Sequence, residues 1–297
     1  MGDLFMSILT ALRRGGNLVL KHKRIVGLIY MLTFGLALFL GLALQSILTH
    51  SIGNSLEINK LLAAYDHTVI SEFINIYGEQ LWILVGQIKW LLVPYFLLNV
   101  FITGGLMHTF VEQKTNLNSL IEGGRCYFWR FFRLLCYILL IHILVALFLY
   151  LPFSIQLIQG LDHIHDEIAF FRLAFIGLLI HIPLVICTFT LSDFAKVYIV
   201  KQQKLSVLRA LWKAFGLLRS NFFQTFGLLL LNGLLIAVIF GIYLLVENWV
   251  SMVSAMNIIF MFLIQQILTI VRIAAKLLRL GSVCVMHRHI TFTEGAA

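Results

Sequence analysis

The chain has 297 residues, 61% of them hydrophobic and only 12% charged, with a formal net charge of +9. A soluble domain carries about 25% charged residues, so this composition excludes an ordinary soluble enzyme. It also excludes nucleic-acid binding through a soluble basic module, because the apolar runs leave no room for one.

The apolar residues gather in six stretches, 25–48, 90–111, 134–157, 173–192, 222–246 and 248–271, each of at least 20 residues without Asp, Glu, Lys or Arg. Roughly 20 helical residues cross a hydrocarbon core of about 30 Å. Barrel strands are about 10 residues long and alternate polar with apolar, which these Leu/Ile/Phe-rich runs do not. The sequence therefore predicts an all-α polytopic membrane protein with six transmembrane helices in one domain, plus interfacial amphipathic helices.

In chain order, a basic lead-in over Leu9–Arg24 precedes the first run. That run is too long for the apolar core of a signal peptide, about 7–15 residues, and no A-x-A-like site follows, so it reads as a retained span. Within it, Gly35, Ala37 and Gly41 predict a small-residue helix contact. The loop after span one contains an amphipathic pattern, with Ile70, Ile74, Tyr77, Leu81, Val85 and Ile88 on one face. That helix either lies on the outer leaflet, extends span two, or packs on a partner. Pro94, Pro152 and Pro183 fall within or at the ends of spans two, three and four and predict kinks. The segment Cys126–Arg133 mixes five aromatics with two arginines, the composition of a headgroup-level belt.

Charge predicts orientation. All but three of the 22 basic residues flank the spans on the side that holds both termini. The positive-inside bias places that side in the cytoplasm, in a cell inner membrane facing anionic headgroups. The four cysteines, Cys126, Cys136, Cys187 and Cys284, fall outside the predicted external loops, so no disulfide framework is expected.

Three segments on the basic side share the pattern Leu-x-small-Leu-x-x-small: Leu9–Gly16, Leu117–Gly124 and Leu208–Phe215. Each precedes an odd-numbered span, which predicts three parallel two-helix repeats.

The polar residues inside the spans form the candidate site. His142 and His181 fall at one depth in antiparallel spans three and four, within about 5 Å of mid-membrane. Such residues are functional candidates, as proton carriers, substrate contacts or haem ligands, and are also ordinary interhelical hydrogen-bonding groups. Span six carries Gln265, Thr269, Arg272 and Lys276 on one face, with Asn232 of span five and Asn99 of span two as partners. This face is either helix–helix glue or one wall of a solute path. Gln265 and Thr269 are expected to face inward, and Arg272 and Lys276 to snorkel to headgroups. Asp193 forms an i,i+3 pair with Lys196 at interface depth, with Arg272 at similar depth. His163 and His165, between Asp162 and Asp166, are metal-capable but lack a second cluster, and His287 and His289 are a weaker case. No catalytic, metal or cofactor constellation is assigned.

The layout as a whole resembles a known group. Gly104-Gly105 precedes Leu117–Gly124 and then Phe128-Trp129-Arg130-Phe131-Phe132, and Asp193–Lys201 leads into Leu205–Arg219. This resembles the uncharacterised bacterial six-helix membrane proteins related to the membrane domain of glycerophosphodiester phosphodiesterases. The resemblance implies a membrane domain without the soluble catalytic barrel, and no functional residue carries over. The functional expectation is a non-enzymatic membrane organiser or complex subunit, binding lipid, a membrane-protein partner or a second copy of itself. The alternative is a small transporter or channel with a polar path lined by spans three to six.

Overall fold

A computed structural model describes residues 2–51, 67–114, 116–160, 167–250 and 254–294. These residues form α1 (Gly2–Lys21), α2 (Lys23–Ser51), α3 (His67–Glu112), α4 (Leu117–Gly160), α5 (Glu167–Lys201), α6 (Val207–Ser220), α7 (Phe222–Trp249) and α8 (Ala255–Glu294), with no strand among them. Six helices hold segments long and apolar enough to cross a membrane: Lys23–Ser46, Leu81–Glu112, Leu117–Leu151, Phe175–Lys201, Phe222–Trp249 and Ala255–Phe292. The protein is an all-α, multi-pass membrane protein.

The helices outrun the apolar stretches that define the spans. The 46 residues of α3 would extend about 69 Å at 1.5 Å per residue, more than twice a hydrocarbon core. Of the three placements open to the amphipathic pattern over 70–88, the chain adopts the extension: the pattern and span two are one continuous helix. Helix also continues through Pro94 in α3 and Pro183 in α5. Local chemistry marks the helix ends elsewhere. The Ser206 hydroxyl accepts from the Arg209 N–H to cap α6, and His22 Nδ1 lies 2.6 Å from the Leu18 carbonyl at the end of α1. His163 and His165 lie outside the described residues.

The chain divides into two compact units, one of Met1–Gly15, Val100–Leu229 and Leu280–Ala297, the other of Gly16–Asn99 and Leu230–Arg279. The first holds most of the fully buried side chains, among them Leu106, Met107, Phe110, Tyr127, Phe194 and Leu280. They sit where α3, α5 and α8 run toward their C-termini and where α4 begins. Along the spans, by contrast, large apolar side chains are exposed, with Phe148 at 78% and Trp90 at 80%. That is the surface a bilayer would cover, since hydrocarbon does not drive apolar groups inward as water does.

The three Leu-x-small-Leu-x-x-small segments have one packing role in the first unit. Their small residues are buried (Ala11 and Gly15, Ser119 and Gly123, Ala210 and Ala214), while the leading Leu9, Leu117 and Leu208 are exposed. Each segment docks on the C-terminal part of an even-numbered span. The first meets the sixth span, where a Cβ on Gly15 would fall 2.8 Å from the Ser282 nitrogen. The second meets the second span, where a Cβ on Gly105 would fall 2.2 Å from the Leu120 carbonyl oxygen and one on Gly123 would fall 2.4 Å from the His108 Cβ. The third, α6, packs on α5, which carries the fourth span. Each even span has a small or polar pair near this level: Gly104-Gly105, Ser192-Asp193 and Gly281-Ser282, all buried. The segment that opens each hairpin thus packs on the hairpin before it, and the first packs on the last.

The small residues of span one behave differently. A Cβ added at Gly35 or Gly41 would meet nothing within 4 Å. The expected contact through Gly35, Ala37 and Gly41 is not made among the described residues. Span one keeps a lipid-facing surface there, because its buried residues, Ile25, Val26 and Ile29, are at its other end.

Candidate functional site

His142 of α4 and His181 of α5 come together as their equal depth in antiparallel helices predicts. Their rings stack 5.6 Å apart with an interplanar angle of 7°, and Tyr150 stacks on His181 at 5.8 Å. Gly177 makes room for Tyr150, since a Cβ there would lie 3.0 Å from the ring. Thr188 Oγ1 is 2.8 Å from His142 Nε2 and 2.9 Å from the Leu184 carbonyl. A hydroxyl has one proton, so both contacts are satisfied when His142 Nε2–H donates to Thr188 and Thr188 donates to the carbonyl. His142 Nδ1 is then an acceptor, buried and without a partner. Thr188→Val is expected to destabilise the α4–α5 hairpin by about 1 kcal/mol, the usual size of an interhelical hydrogen bond in a membrane. Thermal unfolding in detergent would measure it, and a His142→Phe, Thr188→Val pair should lose little more than either single change.

Asp193 is buried, 1% exposed, with Lys196 Nζ 2.7 Å from its Oδ1 and 16% exposed. The i,i+3 pair is as the spacing predicts, but its setting is not: the carboxylate lies in the core of the first unit, beside Phe194 and Ala195, rather than in solvated headgroups.

The polar face of span six divides. Gln265 is exposed, yet its Nε2 donates to Tyr243 Oη of α7 at 3.3 Å. Thr269 donates to the Gln265 carbonyl of its own helix, 2.9 Å away. Arg272 is exposed, as a snorkelling side chain should be. Lys276 departs from expectation. It is half-buried and donates to Asn99 Oδ1 of α3, so it is a helix clamp rather than a second snorkel. The Asn99 amide lies within reach of the ammonium, and a charge-assisted bond is stronger than a neutral one. Asn232 of α7 is 3% exposed. The neighbouring Gln266, not singled out by the sequence pattern, accepts from Tyr30 of α2 at 3.1 Å. Lys276→Met is expected to cost about 1–2 kcal/mol of stability, with Arg272→Met near zero. Paired melting curves in one detergent would show the difference.

A second set of polar groups meets at helix ends, in contacts that the sequence pattern did not predict. In the first unit, Arg130 of α4 donates to the carbonyls of Ile199 and Leu205, and Tyr127 Oη lies 3.5 Å from that of Val200. The last turn of α5 thus has donors on carbonyls that no intrahelical N–H satisfies. Arg288 of α8 is 3.5 Å from the Val111 carbonyl near the end of α3. Lys201 Nζ is 3.2 Å from His287 Nδ1, and the Tyr198 ring meets His287 edge-on at 4.6 Å. Lys donates to Nδ1, so the His287 proton is on Nε2, which is buried with no partner. His108, 6% exposed, is 3.4 Å from Glu112, which also binds Lys114. The hydrogen bond to Glu112 raises the Lys114 pKa above its ordinary value.

Outside this core, the docked segments turn a second face outward. Trp129 is 66% and Trp212 73% exposed, among exposed Arg125, Arg133, Arg209 and Lys213. A shallow recess of 670 Å³ runs along Asn118, Ile121, Glu122, Arg125 and Cys126.

The chain matches no known protein family, no curated protein and no solved structure.

Proposed function

We infer that the protein is a non-enzymatic membrane organiser of a cell inner membrane, with both termini cytoplasmic, which binds anionic lipid headgroups through its basic-aromatic face. The observation that carries this reading is the two-sided character of the repeated segments. Their small residues are buried against helix ends, while Trp212 of the third segment and Trp129, just beyond the second on α4, are exposed among arginines and lysines. Indole rings are favoured at headgroup depth, and each basic residue near an anionic surface is worth about 1 kcal/mol. What supports binding over a solute path is that Gln265, Thr269 and His142 each engage a group beside them on the same or the next helix. Photoactivatable phosphatidylglycerol and phosphatidylcholine would test it in matched vesicles. Preferential labelling by phosphatidylglycerol is expected, reduced severalfold in Trp129→Ala/Arg133→Ala/Trp212→Ala/Lys213→Ala. Labelling no greater than that of an unrelated six-span protein would overturn it.

A further inference from the structure

We propose that Lys201 and Arg288 form a binding site for an anionic phosphate group at the ends of α5 and α8, with His287 positioning Lys201. The proposal deepens the lipid-binding reading and names one place where a headgroup would be held. Lys201 Nζ lies 3.2 Å from Nδ1 of His287, the residue that precedes Arg288 in α8, which brings the two cations to one place in the first unit. Both are exposed, and among the described residues neither is paired with a carboxylate. The nearby acids are already engaged: Asp193 by Lys196, and Glu112 by Lys114 and His108.

Two features hold the cations in this arrangement. His287, 1% exposed, accepts a hydrogen bond from Lys201 at Nδ1, and the Tyr198 ring meets the imidazole edge-on. Arg288 is anchored by one guanidinium nitrogen to the Val111 carbonyl. Lys201 keeps two ammonium protons and Arg288 its remaining N–H groups for a ligand. A helix C-terminus ordinarily repels an anion. At α5 this is offset, because Arg130 and Tyr127 place donors on the Ile199 and Val200 carbonyls. A tetrahedral phosphate offers several acceptor oxygens and enough charge to relieve two neighbouring cations.

Two sources supply this chemistry, a phospholipid headgroup and free phosphate. The full-length protein would be tested in detergent with inorganic phosphate against chloride at equal ionic strength. It would also be tested in phosphatidylcholine nanodiscs with and without phosphatidylglycerol. The readout is the reactivity of Lys201 toward an amine-acylating reagent, followed by peptide mass spectrometry with Lys21 as the reference. At least fivefold protection of Lys201 is expected with one source: in nanodiscs alone if the ligand is a headgroup, in detergent if it is free phosphate. Arg288→Gln should abolish the protection and Arg288→Lys should keep most of it. Protection by neither source overturns the proposal, as does protection unchanged in Arg288→Gln. The wild-type measurement needs no variant to fold. The quadruple variant that tests the outer belt should leave Lys201 protection intact, so the two readings fail separately.

Discussion

Gly105→Ala is expected to lower stability by about 2 kcal/mol or more, although alanine in place of glycine within a helix ordinarily gains about 1 kcal/mol. The added Cβ would stand 2.2 Å from the Leu120 carbonyl oxygen, a backbone atom that cannot rotate away. The reverse face is equally closed: a Cβ at Gly123 would stand 2.4 Å from the His108 Cβ, and one at Gly124 would stand 2.6 Å from the Phe101 ring. The two glycine pairs therefore interlock, and α3 and α4 would have to separate to admit a methyl group. Separation would disturb His108 and Tyr127, whose rings are 5.7 Å apart in the same contact. Gly41→Ala, where nothing lies within 4 Å, is the control and should be neutral or slightly stabilising. Thermal melts of both variants in one detergent decide the matter. Equal melting temperatures would mean that the glycine contact does not hold the helices together.

Lys196→Met is expected to be the most damaging single change outside the glycines, at about 3–5 kcal/mol. It leaves the Asp193 carboxylate, 1% exposed, without the ammonium 2.7 Å away. A buried charge that loses one close counter-charge bears more of its desolvation cost, whereas removing both charges is often close to neutral. Asp193→Asn/Lys196→Met should therefore be more stable than Lys196→Met alone. The sign of that difference separates a desolvated pair from a surface one, because an exposed pair is worth only about 0–1 kcal/mol and both variants would then resemble the wild type.

The class of the protein and its six spans were legible because they depend on local composition. A run of more than 20 apolar residues has few alternatives to a spanning helix, whatever it packs against. The depth of His142 and His181 was legible for a similar reason, since counting residues along antiparallel helices gives height in the bilayer. The Asp193–Lys196 pair followed from i,i+3 spacing alone. Distance from neighbours in other helices is a different kind of quantity. Spacing along span six places Gln265, Thr269, Arg272 and Lys276 on one face with Asn99 as a candidate partner, but not that Lys276 is the residue that meets Asn99 while Arg272 is exposed. Gly104-Gly105 and Gly123-Gly124 were visible as motifs. That they interlock, while Gly35 and Gly41 touch nothing, was decided by which helix lies opposite. The same holds for Arg130, Lys201 and the adjacent His287-Arg288, which belong to three helices and come together only where helix ends converge. The sequence by itself determined spans, depths and the three repeated segments, because these are one-dimensional properties of a helix. Only the tertiary structure decided which residues are buried charges and which are clamps, because those depend on partners supplied from other helices.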